Sequence, residues 1–233
     1  MLMFDVPLDA VINQDLGARF RISTDQDAVD QATGFAMDGE VEDYMVRVKG
    51  LDFGDLPAGY PTVDANDGPR HGQPENPQIY FGGTPPDVEV DGQPDVDAGE
   101  TGNGDGADEN GIVEPAMLFR GEEARFKVNV TNTSGQTAYI YGFIDWNNND
   151  QFDGGAELAS ATLDGSGMTE LVFQVPLDAA INTDLGARFR IGTVQSEVDG
   201  PTGFAMDGEV EDYLVRVKGL DFGDAGEDFP TVY

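Results

Sequence analysis

The chain of 233 residues contains no cysteine and a single histidine, and only 12 lysine and arginine side chains stand against 45 aspartates and glutamates. Without cysteine, neither a disulfide nor a thiolate zinc site can hold the fold together. His71 sits in a glycine- and proline-rich stretch with no serine or cysteine beside it, so a hydrolytic triad lacks its parts. The formal charge of −33 repels nucleic acid and anionic membranes. No run of about 18 apolar residues occurs, so no membrane insertion is expected. The first residues, Met1-Leu2-Met3-Phe4-Asp5, have neither the basic nor the apolar region of an export signal. Carboxylates are plentiful enough for glycoside hydrolysis, but nothing marks one pair above the rest. The chain is therefore read as not an enzyme.

What is present argues against disorder. Apolar residues make up 39% of the chain, with 14 Phe and 7 Tyr to build a core, while 31 Gly and 13 Pro imply many turns and few long helices. The strongest signal is internal repetition. Phe4 to Val63 recurs without a gap at Phe173 to Val232, with 45 matches over 60 positions and a constant offset of 209 − 40 = 169 residues from Glu40 to Glu209. A repeat of this length exceeds the roughly 20 to 50 residues of solenoid rungs, so each copy should be a self-contained domain. In this frame the chain starts and stops partway through a unit, any export signal is expected upstream, and residues 1–50 are the C-terminal part of a preceding domain that depends on neighbours for completion.

Within the whole unit, residues 51–110 are rich in Pro, Gly and Asp and read as an extended acidic linker, either ordered by metal or a spacer between domains. Residues 111–219 read as one complete domain and 220–233 as the start of the next linker. From Gly111 the pattern turns to short alternating strands: Ala124–Thr131, with Phe126, Val128 and Val130 on one face, then Ala138–Asp145, Glu157–Leu163, Thr169–Val175, Ala187–Ile191 and Glu209–Val217, with one more near Ile112–Phe119. Such a series predicts an all-β fold, an antiparallel two-sheet β-sandwich of immunoglobulin-like type. Leu177–Leu185 offers one helical turn at most. Phe126, Tyr139, Tyr141, Phe143 and Phe173 lie at strand spacing and read as core rather than as a sugar-binding platform.

Three acidic constellations stand out. Asp145, Asn147, Asn149, Gln151, Asp153 and Glu157 place oxygens at alternate loop positions, Gln151 through its carbonyl, which suits the roughly six to eight oxygen ligands of calcium. Asp150 occupies the place where an EF-hand loop has glycine, and Glu157 falls one position late. A metal-free hairpin turn is the competing reading. Asp87, Glu89, Asp91, Asp105, Asp108 and Glu109 form a second candidate cation set, against the alternative of a solvated acidic spacer. Third, Asp207-Gly208-Glu209-Val210-Glu211-Asp212-Tyr213 repeats Asp38–Tyr44; its glutamates point to packed surroundings and are expected to pair with Arg188 and Arg190 rather than to hold a ligand.

Gly208-Glu209-Val210-Glu211-Asp212-Tyr213, followed by Asp221-Phe222-Gly223-Asp224 and Phe229-Pro230-Thr231, resembles the GEVED-type repeat domain of large bacterial surface proteins. Pro69-Arg70-His71, Ile79–Gly83, Asp91–Pro94, Thr131–Thr133 and Ile144–Asn147 also follow in the order of that family. The resemblance implies a β-sandwich, tandem arrays, secretion to the cell surface and calcium at the Asp145 loop, where Asn147–Gln151 departs from the Asn-Gly-Asp-Gly-Asp found in many members. It implies a non-catalytic structural module of an extracellular adhesin or fibre whose partners are neighbouring repeats. The alternatives are a glycan- or protein-binding module and an accessory domain of a larger secreted enzyme.

Overall fold

Alternating apolar and polar residues give each strand one face to bury. The computed structural model, which describes residues 3–7, 9–98, 108–113, 115 and 117–221, shows what those faces meet. The chain divides after Gly50 into two units. In the first, β1 (Asp15–Ile22) and β2 (Glu40–Arg47) form an antiparallel two-stranded sheet in which Arg19 lies opposite Asp43. Every residue of β2 is exposed.

From the division onward the chain forms β3 (Gly50–Phe53), whose last three residues belong to the second unit, then β4 (Arg70–Gln73), β5 (Ile79–Phe81), β6 (Ile112–Val113) and β7 (Leu118–Phe119). The longer strands follow: β8 (Glu123–Asn132), β9 (Thr137–Ile144), β10 (Leu158–Asp164), β11 (Gly167–Gln174) and β12 (Leu185–Gly192). After a single helical turn, α1 (Gln195–Val198), come β13 (Phe204–Ala205), β14 (Glu209–Val215) and β15 (Val217–Lys218). One sheet runs β10-β9-β12-β14, and another runs β11-β8-β5 with β6 also on β8. Their facing sides share one apolar core. Phe126 of β8 lies 5.6 Å from Phe173 of β11 and 5.6 Å from Phe189 of β12, so aromatic rings bridge the two sheets. Burying each such side chain contributes about 1.5–3 kcal/mol.

The fold is all-β, and the long strands fall within one or two residues of the alternation read from the sequence. Leu177–Leu185 forms no helix; Ala179 N closes a turn on Pro176 O instead. The larger difference concerns the segment expected as a linker. Residues 51–98 fold onto the unit: β5 enters a sheet beside β8, β4 pairs in parallel with β13, and Phe53, Leu56, Tyr60 and Phe81 are buried. The reason lies on the far side of the β9–β12–β14 sheet. β12 is buried on both faces, because Leu185, Ala187, Phe189 and Ile191 enter the shared core while Arg188 and Arg190 enter a second layer roofed by residues 55–73 and 198–206. Composition missed this because carboxylates and carbonyls, rather than many apolar residues, fasten the roof. The 101–107 stretch and the 222–233 end lie outside the described residues.

Candidate functional site

Asp145 leaves the end of β9 fully buried and organises the loop that follows. Its Oδ1 accepts from the Asn149 amide (3.1 Å), and its Oδ2 accepts from the Asp150 amide (2.8 Å) and the Tyr60 hydroxyl (2.8 Å). Asn148 and Asp150 adopt left-handed φ values of 58° and 61°, a region that Asn and Asp tolerate better than most residues. Asp150 thus makes the turn expected of glycine. Asn147 Nδ2 and Asn149 Nδ2 both donate to Asp153 Oδ2, at 3.0 and 2.9 Å, while the Asp153 amide donates to Glu157 Oε2. Burial raises the Glu157 carboxyl above its ordinary value, and the nearby charges of Asp145 and Asp153 push the same way. Asp145 and Glu157 form the buried base of the loop; Asn147, Asn149 and Asp153 lie exposed at its rim. Gln151 is also exposed, and its backbone N–H donates to Asn149 Oδ1.

Among the described residues no three Asp, Glu or His side chains close on one point as metal ligands would. What closes at the rim is one carboxylate and two amides. An asparagine amide presents either its nitrogen or its oxygen after a half-turn about its terminal torsion. With the nitrogens inward it satisfies Asp153; with the oxygens inward it would supply donors of the kind calcium takes. The donor chemistry of the loop fits such an ion.

The second acidic set is not gathered into one place. Glu89 Oε2 accepts from the Phe53 amide (3.0 Å) and Asp91 Oδ1 from Asp64 N (2.7 Å), while Asp108 Oδ2 accepts from Asp87 N (2.7 Å). Glu109 Oε1 accepts from Asp212 N (3.1 Å). Each acid fastens a separate piece of backbone, and Asp105 lies outside the described residues. A denser group gathers along the edge of β14, where Asp52 and Asp108 approach Glu209, Asp108 approaches Glu211, and Glu109 accepts from the Asp212 amide. Burial drives Glu209 well above the ordinary carboxyl range, helped by the charges of Glu211, Asp52 and Asp108, and burial pushes Glu211 up to about 8.

The expected pairing of those glutamates with arginine is not formed. The ladder sets Arg188 opposite Asp212 and Phe189 opposite Glu211, so the arginines lie on one face of the sheet and the glutamates on the other. Glu209 accepts from the Phe81 amide, while Glu211 accepts from Asn110 N (2.9 Å), Gly111 N (2.8 Å) and the Tyr213 hydroxyl (3.1 Å). Arg188 instead forks onto Asp212, with both bonds 2.8 Å and both side chains fully buried. Asp212 Oδ2 also accepts the amides of Asp55 and Leu56. Arg190 donates to His71 Nε2 (3.1 Å) and to the carbonyls of Gly200, Thr202 and Gly203. Accepting at Nε2, His71 donates from Nδ1 to Asp207 O (2.8 Å). Burial and the Arg190 charge hold its pKa well below the ordinary value. Tyr60 and Asp55 were missed as contributors; the recurrence of an aromatic-Pro-Thr at Tyr60 and Phe229 was the available signal.

The family model of the GEVED domain matches residues 139–216. That span holds the Asp145 loop, the Arg188–Asp212 pair and the buried glutamates, and it supports the kinship read from the motifs. No curated protein matches the chain.

Proposed function

We propose, from the GEVED domain at residues 139–216 and the repeat that carries it, that the chain is a non-catalytic structural module of a secreted bacterial surface protein, an adhesin or fibre. Its sheets form a sandwich of immunoglobulin-like type, and tandem copies extend the array. Calcium at the Asp145 loop stiffens each copy. The observation that carries the reading is the convergence of Asn147, Asn149 and Asp153 above buried Asp145 and Glu157. The only histidine favours the non-catalytic part: it is buried and neutral between Arg190 and a backbone carbonyl, out of reach as a general base.

Asp145, Asn147, Asn149, Asp153 and Glu157 would hold the ion, which would supply positive charge to a loop where the charges of Asp145 and Asp153 bear on Glu157. The two asparagines would turn their oxygens inward, and Tyr60 would keep Asp145 oriented from the roof. Thermal melting of the whole chain in EDTA and in millimolar calcium tests this. A ligand at a hundredfold excess over its Kd adds about 2.7 kcal/mol, and each kcal/mol moves the midpoint by about 2–4 °C in a domain of this size. A rise of about 5–10 °C is expected, abolished by Asp153→Ala. An unchanged midpoint would rule calcium out.

A further inference from the structure

Residues 4–48 and 173–217 are nearly the same sequence in two situations. The internal geometry is alike. Arg21 donates to the carbonyls of Gln31, Thr33 and Gly34, and Arg190 donates to those of Gly200, Thr202 and Gly203, each 169 residues on. Arg19–Asp43 and Arg47–Asp15 repeat as Arg188–Asp212 and Arg216–Asp184. Left-handed Asn13, Gly34 and Gly39 repeat as Asn182, Gly203 and Gly208. The hairpin of the first unit thus already has the conformation its counterpart holds inside the second.

The surroundings differ. Ile22, Tyr44 and Val46 are 67%, 50% and 44% exposed, whereas Ile191, Tyr213 and Val215 are 0%, 8% and 1%. In the second unit the β8–β11 sheet covers these side chains across the core face and β9 lies on the edge of β12, while the 51–73 roof covers the opposite, arginine face. The first hairpin has hollows where two roof side chains would sit. One, of about 490 Å³, is lined by Gly17, Arg19, Ala32, Asp43, Tyr44 and Met45. At the matching positions of the second unit, Tyr60 packs beside Leu214 and bonds the Gly186 amide. The other, of about 380 Å³, includes Arg21, Ala36 and Asp38; their counterparts Arg190, Ala205 and Asp207 are the residues that His71 meets.

We infer that the exposed hairpin of residues 4–48 is a docking surface for a further copy of the half-unit sequence 51–172, joined ahead of Phe4 so that both copies of the hairpin are buried in the same way. The binding chemistry is that of the second unit: a Tyr ring and an imidazole in the two hollows, a strand on the edge of β1, and an apolar sheet over Phe20 and Tyr44. It is independent of the calcium reading.

Gly17 supplies a discriminating variant. A Cβ there meets nothing within 4 Å, whereas at Gly186 it would approach the Tyr60 ring to 2.5 Å. Gly17→Val therefore leaves the exposed hairpin intact and obstructs docking. The experiment places a copy of residues 51–172 directly before Phe4 of the full chain and follows amide hydrogen exchange in EDTA. Exchange at residues 15–22 and 40–47 should slow by on the order of 100-fold or more, toward the rate at 185–192 and 209–215. Gly17→Val should remove that protection in the lengthened chain and change nothing in the original one. Unchanged exchange on lengthening would overturn the proposal, as would protection that survives Gly17→Val. Sedimentation of the original chain supplies a further check. A monomer is expected, since its one half-unit is already closed by residues 173–217; a dimer protecting residues 15–22 would mean that the hairpin face pairs with itself and would also overturn the proposal.

Discussion

Two ion pairs made by the same residue types show how burial sets the worth of an interaction. Arg188–Asp212 is fully buried, while Arg19–Asp43 is 42% and 57% exposed. Breaking a buried pair leaves a charge without compensation and costs about 3–5 kcal/mol; an exposed pair contributes about 0–1 kcal/mol. Asp212→Ala should therefore cost several kcal/mol in urea unfolding and Asp43→Ala far less. Equal effects would show that the roof does not exclude water. The glutamate pair gives a pH signature. Carboxyls raised in the folded state, as Glu209 and Glu211 are by burial, bind protons that the unfolded chain has released. Stability must then fall as pH rises through that range. His71, depressed by burial, acts oppositely, its contribution being lost as pH falls below the ordinary histidine value. Between about pH 7 and 8 the unfolded histidine has largely released its proton, and the raised glutamates dominate the slope. In EDTA the melting midpoint should drop across that interval, and Glu211→Gln, which keeps an acceptor for Asn110 and Gly111, should flatten the drop. A midpoint that rises with pH would contradict the burial of this pair.

Among the elements, the roof over β12 and β14 is the least conventional. It has few strands and little apolar area, and carboxylates fasten it: Asp212 caps the amides of Asp55 and Leu56, Glu89 that of Phe53, and Asp52 that of Val210. Acid density was visible in the sequence; its use as a set of backbone acceptors was not, because partner amides lie up to 158 residues away. Tyr60 joins roof to loop, its hydroxyl donating to Asp145 and accepting from Gly186 N. Tyr60→Phe leaves both groups short of a buried partner, at about 1–3 kcal/mol. It should lower the midpoint in EDTA as well as in calcium. A loss seen only in calcium would mean that the hydroxyl serves the ion alone.

For the whole molecule, the two units should differ sharply in stability. The second owns a core that spans two sheets, while the described residues of the first bury almost none of their apolar side chains. Deleting residues 1–50 should leave the main cooperative transition where it is, and the deleted residues made alone should show no cooperative melt by circular dichroism. A large fall in the midpoint on deletion would place part of the core in residues 1–50.

Sequence alone was sufficient for the repeat, the all-β class, the long strands and the loop at Asp145, because these rest on period-two alternation and on identity at a fixed offset, both local or self-referential. It was not sufficient for the partners of Arg188, Arg190, Glu209 and Glu211. Parity places residues 209 and 211 on one face of their own strand, but which face lies beside which arginine depends on the register between β12 and β14. Nor could it show that residues 51–98 form a roof rather than a linker. Amide-to-carboxylate bonds carry no periodicity, and their geometry exists only once distant segments are packed. The same limit separates the two hairpins. Nearly identical residues from 4 to 48 and from 173 to 217 reach the same local shape, since turns and cross-strand pairs are set nearby. Only the tertiary structure decides that one is exposed and the other is core, because burial is a property of what the rest of the chain brings against a surface.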